Sequence, residues 1–244
     1  MLSFYAKISQ LEKLNNLNVK KSLKLRKLFW FLKFPELHLH RIMRDKIINK
    51  AGELFLNLGF KSVTMDDISN ELGVSKKTLY KYFSNKVSLV DASCATIHES
   101  IEQTIDFIKE KKYNAIEEEF AIKAIFKEMF KNAKDSPMHQ LRKYYPEIYN
   151  KLMHREVCMF KDCNSDNLKK GISQGLYRED IDLDLTTNFY FTLIFGLFES
   201  DVYSQDVQEL VKVEYKVLEY HIRAIATEKG IEELEKQLKI INEN

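Results

Sequence analysis

The shortage of chain breakers is what most limits the folds open to this sequence. Only 7 Gly and 3 Pro stand in 244 residues, where average usage gives roughly 17 and 12. Sandwiches and barrels need turn residues about every 8–12 positions, so the spacing predicts an all-α chain. With 45% hydrophobic and 30% charged side chains, it has enough apolar material for one or two domains with a real core. The three cysteines, Cys94, Cys158 and Cys163, are odd in number and form no C-x-x-C step. A reducing cytoplasm is the simplest setting for them.

The net charge of +2 conceals an asymmetry. Residues 1–42 carry nine Lys or Arg against Glu12 and Glu36, a surplus of +7, which leaves −5 for everything that follows. The bulk of the chain is therefore no generic polyanion binder, and any contact with nucleic acid must come from a local basic surface. The leader's apolar run Leu28-Phe29-Trp30-Phe31-Leu32 is broken by Lys33 and Pro35 and lacks a cleavage site, so it is a poor signal peptide. The apolar stretch at 189–198 is about half the roughly 20 residues that span a bilayer. Three readings of residues 1–42 stand: a basic arm on DNA, a membrane-surface segment, or sequence upstream of a true start at Met43.

From Arg44 onward, Ile47, Ile48, Ala51, Leu54, Phe55 and Leu58 share one helical face, closed by Gly59. Thr64 can cap a second, two-turn helix, with Asp67 returning the bond. Gly73 ends that helix with a tight turn, and Ser75 caps a third over residues 76–82. Two short helices joined by a glycine-bearing turn and packed on a longer one make a helix-turn-helix. Leu79 and Phe83 can face a small core with Ile68 and Leu72, which leaves Lys76, Lys77, Thr78, Tyr80 and Lys81 outward.

The run Ile48-Asn49-Lys50-Ala51-Gly52-Glu53-Leu54-Phe55, with Gly59-Phe60, Thr64, Ile68-Ser69, Gly73-Val74-Ser75-Lys76, Thr78-Leu79-Tyr80-Lys81-Tyr82-Phe83 and Lys86, resembles the N-terminal signature of TetR/AcrR-type transcriptional regulators. The resemblance covers about a fifth of the chain. It departs at Lys77, where the family commonly carries glycine, and the extra charge suggests a stronger phosphate or guanine contact. The resemblance implies phosphate contacts from Thr64, Tyr80, Tyr82 and Lys86, and puts Ser75, Lys76, Lys77, Thr78 and Lys81 at the reading surface, with Lys76, Lys77 and Thr78 nearest base edges. Tyr82 also reads as a wedge on the next helix, Lys81 as a solvated face residue and Thr64 as a helix cap alone.

Beyond Lys86 the pattern predicts helices to the end: one at about 87–112, one at 118–131, one opening at Ser136-Pro137 and interrupted at Pro146, and one reaching Gly171 or Gly175. Asp184 is expected to cap a nearly all-round apolar helix at 185–203. Asp206 to Glu209 reads as a capping box for a long amphipathic helix ending near Gly230. The predicted units are the basic leader (1–42), the helix-turn-helix domain (43–90), a helical effector-binding and dimerisation domain (91–230) and a helical tail (231–244).

The resemblance further implies a homodimer through the last two large helices, whose twin reading heads fit a pseudo-palindromic operator. It also implies a repressor released by a small-molecule effector. Phe107, Phe126, Phe130, Tyr144, Tyr145, Phe160, Phe191 and Phe195 are candidate lining for an effector pocket, or simply core. No Lys or Arg cluster falls inside the apolar stripes, which favours an apolar or weakly polar effector. Glu117-Glu118-Glu119 and the lysines at 109–112 read as solvated faces.

His154 and Cys158, four apart, make an incomplete metal pair. No phosphate loop, nucleophile elbow or H-E-x-x-H occurs, so no catalytic residue, metal or cofactor is expected. The rival reading is a helical small-molecule-binding protein that uses its DNA head little or not at all.

Overall fold

The computed structural model describes residues 35–133, 136–199, 202–203 and 206–242. It divides into two compact units, residues 1–46 and 47–244. Most of the basic leader, residues 1–34, lies outside the described residues. The rest of that first unit is the opening half of helix α1 (Pro35–Leu58), where Leu39 and Ile42 are exposed and Arg41 lies 3.8 Å from Asp45. The helix therefore opens at Pro35, upstream of the expected start at Arg44.

The second unit begins with three helices around a small core. From α1 come Ile47, Ala51 and Phe55, all fully buried; then follow α2 (Met65–Leu72) and α3 (Lys76–Tyr82). Short-range chemistry fixes the joints. Thr64 accepts from the Asp67 amide at 3.2 Å while Asp67 accepts from the Thr64 amide at 2.8 Å, a complete capping box. Gly73, with φ +65°, closes α2 by donating back to Ser69 and Asn70 carbonyls. Ser75 Oγ accepts from the Thr78 amide at 3.0 Å and starts α3.

The body follows: α4 (Lys86–Lys109), α5 (Ala115–Phe130), α6 (Pro137–Tyr144), α7 (Pro146–Ser173), α8 (Leu183–Glu199), α9 (Val207–Ile225) and α10 (Glu228–Asn242). Helix α7 packs on α4, α5, α6 and α8, and α5 packs also on α9 and α10. The core gathers Phe120, Leu168, Tyr177, Tyr190, Leu218 and Leu234. No strand occurs among the described residues; the one extended contact is an isolated bridge between Tyr177 and Ala226.

Later boundaries differ too, and α8 ends at Glu199 rather than at 203. Asp182, not Asp184, caps α8, accepting from the Leu185 amide at 2.9 Å. Helix α9 ends at Ile225, because the chain must extend at Ala226 to meet Tyr177. Gly230 is no C-cap: it lies inside α10, where a Cβ would stand 2.1 Å from the Leu176 carbonyl oxygen. Close approach of α10 to the backbone at Leu176, not a helix end, is what demands glycine there.

Candidate nucleic-acid interface and the cavity behind it

Helix α3 keeps Leu79 inward, with 0% exposure, beside Ile68 and Phe83. That single inward position orients the rest. Lys76, Lys77, Tyr80 and Lys81 are exposed, and Thr78 and Tyr82 are half-buried. Tyr80 is 43% exposed. Lys76 is tied to Asp66, with Nζ 2.7 Å from Oδ1, and the hydrogen bond to that carboxylate raises its pKa. Ser75 and Thr78 hydroxyls meet at 2.8 Å, and Thr64 hydrogen-bonds Asp67 through both backbone and hydroxyl, which lowers the Asp67 pKa. Three of the expected contact residues thus have structural duties already: Thr64 and Ser75 as caps, Lys76 as an ion-pair partner. Lys77, Tyr80 and Lys81 form an outward cluster of two cations and a phenol. Such a cluster suits phosphate oxygens and base edges.

Lys86 is turned toward the joint between head and body. Its Nζ donates to the Lys61 carbonyl at 3.1 Å and lies 5.9 Å from the Phe55 ring and 6.0 Å from the Tyr145 ring. Burial draws its pKa down. The same turn before α2 is gripped by α6 and the start of α7. The Tyr145 hydroxyl reaches the Phe60 carbonyl at 3.5 Å, Lys61 lies over the Tyr144 ring, and Gln140 stands against Gly59 and Lys61.

Behind this joint, α4 to α9 enclose a cavity of about 170 Å³. Phe60 from the head and Leu141 from α6 both line it, so its wall is continuous with the joint.

Residues 47–93 match the family model described as bacterial regulatory proteins, tetR family. The helix-turn-helix head is of the TetR type. Its relatives include the HTH-type transcriptional repressor KstR2 of Mycolicibacterium smegmatis, 26% identical over 160 residues that span 60% of this chain and 73% of that protein. The biofilm operon icaADBC HTH-type negative transcriptional regulator IcaR of Staphylococcus aureus is 25% identical over 65% of this chain and 81% of its own length. A crystal structure of a transcriptional regulator from Cytophaga hutchinsonii has the same fold, with a TM-score of 0.61 at 18% identity, over 75% of this chain and 98% of that one. The matched head and both curated relatives are those of DNA-binding transcriptional regulators.

Four of the eight candidate pocket residues line the cavity behind the head: Phe126, Phe130, Phe160 and Phe195. Phe191 lies one layer back, stacked on Phe195 at 4.3 Å and edge-on to Phe160 at 5.6 Å. Tyr145 belongs to the joint. Tyr144 is exposed beneath Lys61 and Lys143. Phe107 is 57% exposed, with the Lys111 ammonium 3.9 Å over its ring, because Ile101, Ile105 and Ile108 already set the inward face of α4.

The cavity also holds polar residues that the sequence pattern hid. Glu118 and Glu119 are 3% and 7% exposed, not solvated; α5 is covered on several sides, so two consecutive positions point inward. Lys123, Glu119, Glu156, His98 and Glu214 all line the wall. Burial raises the Glu119 pKa to about 7, with Lys123 opposing and Glu118 reinforcing. Burial likewise raises Glu156, against its bond to His98. His221 lies flat on Tyr190, rings 4.1 Å apart and 7° from parallel. Burial lowers its pKa to about 4. His154 and Cys158 stand on an exposed part of α7, and no helix among the described residues is long and apolar enough to cross a membrane.

Proposed function

We propose that this regulator is a ligand-responsive, cytoplasmic repressor that binds a pseudo-palindromic operator as a homodimer and is released by a small molecule held in the α4–α9 cavity. The observation that carries this is the shared wall. Phe60, in the turn that leads into α2, lines the cavity, and the backbone around it is bonded to Tyr145 and Gln140 from the body. An occupant that displaces α6 therefore moves the attachment point of the reading head. The head responds to the difference in affinity between its two poses.

Dimerisation is supported by α8. Leu185, Phe189 and Leu193, at successive four-residue steps, are 49%, 61% and 39% exposed, a stripe that a monomer leaves in water. On the same helix Gly196 has no described residue within 4 Å of its Cβ position, which suits close approach by a second helix. Two α3 helices related by a two-fold axis then read half-sites in successive turns of one DNA face. In the DNA contact set, Lys77, Tyr80 and Lys81 lead, with Thr64, Ser75, Lys76, Thr78 and Tyr82 beside them, and Lys86 acts through the joint. The repressor sign is supported by the names of KstR2 and IcaR, a repressor and a negative regulator.

The test is footprinting of the tagged protein across its genome, followed by gel shift of the recovered site. A protected inverted repeat, with sedimentation at micromolar concentration giving a dimer, supports the reading. Absence of any protected site would leave only the ligand-binding body and sink it.

A further inference from the structure

The polar side chains of the cavity wall pair off, and one acid remains. Lys123 Nζ stands 3.8 Å from Glu214 Oε2, and His98 Nδ1 stands 2.7 Å from Glu156 Oε1. Glu118 is held by Lys170 at 2.6 Å and by Asn167 at 3.0 Å. Glu119 lines the cavity with no hydrogen bond to any described residue; it feels Lys123 and Lys109 only through space, against the like charge of Glu118. Tyr190, in the same wall and 1% exposed, carries a buried hydroxyl with no hydrogen-bond partner among the described residues. Buried polar groups in folded proteins are nearly always satisfied, and an orphan calls for a missing partner.

We propose that the cavity takes an elongated apolar molecule with a cationic, amine-type head that hydrogen-bonds Glu119 and the Tyr190 hydroxyl. This rests on the effector role given to the cavity above. The body of such a ligand fits a wall of Ile101, Ile122, Met159 and Phe160. The head meets an acid that no lysine of the wall pairs with. A carboxylate head would confront Glu119 as a like charge, with the Lys123 ammonium already engaged by Glu214. A neutral head would leave Glu119 with no opposite charge.

Calorimetric titration of the full chain with octylamine, octanol and octanoate, below their micellar ranges, tests this. Octylamine is expected to bind about tenfold or more tightly than octanol, as a hydrogen bond to a charged partner implies, with octanoate weakest. Glu119→Gln should erase the amine's advantage and leave octanol affinity within about twofold. Tyr190→Phe should weaken amine and alcohol alike by about three- to tenfold. If octanol matches octylamine in the wild type, or Glu119→Gln keeps the preference, the cationic head is refuted while the cavity remains a ligand site. If no member of the series binds, both the head and the effector cavity fall. Should Glu119→Gln not fold, the wild-type ranking and Tyr190→Phe still decide.

Discussion

The side chain of Gln140 occupies the space that a Cβ on Gly59 would need, with Oε1 2.5 Å from that point and 3.5 Å from the Lys61 amide nitrogen. Gly59 itself has φ +94°, a conformation that side chains resist. The α1–α2 turn can lie this close to α6 only because this residue is glycine.

Gly59→Ala should therefore cost about 1–3 kcal/mol from backbone strain alone, with a further steric share relieved by pairing it with Gln140→Ala. Urea denaturation of the single and double variants checks this. Equal stabilities for Gly59→Ala and wild type would contradict the joint described here. Gln140→Ala by itself should keep operator affinity and weaken ligand-induced release.

Lys77 has no ion pair among the described residues and stands exposed on α3. Lys77→Ala is expected to lower operator affinity and to reduce the slope of log affinity against log salt by about one per subunit. Fluorescence anisotropy across a salt series measures both. An unchanged slope would remove Lys77 from the phosphate contacts.

The exposed stripe on α8 gives a test of assembly. Phe189→Arg adds a charge to a side chain that is 61% exposed, so a monomer should tolerate it within about 0.5 kcal/mol. A dimer that buries it should dissociate. Sedimentation velocity at micromolar concentration is expected to show dimer for the wild type and monomer for the variant, with helix content unchanged.

Glu119 and His221 oppose each other in the pH dependence of stability. The Glu119 pKa rises from 4.5 unfolded to about 7 folded, through burial and Glu118 against Lys123 and Lys109. Its stabilising share is complete below pH 4.5 and is lost as pH rises to about 7. The His221 pKa falls from 6.5 to about 4, through burial and Lys123. Its share is complete above 6.5 and is lost as pH falls to about 4. Each group changes stability by at most about 1.4 kcal/mol per pH unit, and between about 4.5 and 6.5 the two slopes cancel. Glu119→Gln removes the falling limb, so its stability relative to wild type should climb as pH rises through this window. Guanidinium titrations at three pH values read this directly, and a constant difference would contradict the burial of Glu119.

The head was legible in the sequence because its determinants are local. Thr64 with Asp67, Gly73 and Ser75 act over three or four residues, and those rules hold whatever surrounds them. The cavity was only half legible. Periodicity identifies Ile101 and Ile105 as inward on α4, but Phe107 looks equally apolar and points out. Glu119 looks solvated and points in, because α5 is enclosed by helices far away in sequence. Gly230 shows the same limit: a glycine near a helix end suggests a cap, whereas the contact that requires it is the Leu176 carbonyl.

Lys86 divides the positive charge of the head into two populations. The cations on α3 face water and answer to ionic strength. The Lys86 ammonium, half-buried against Phe55, Tyr145 and the Lys61 carbonyl, is shielded from dissolved ions. It behaves as a rivet, so rising salt should strip the regulator from its operator long before it loosens the reading head from its mount.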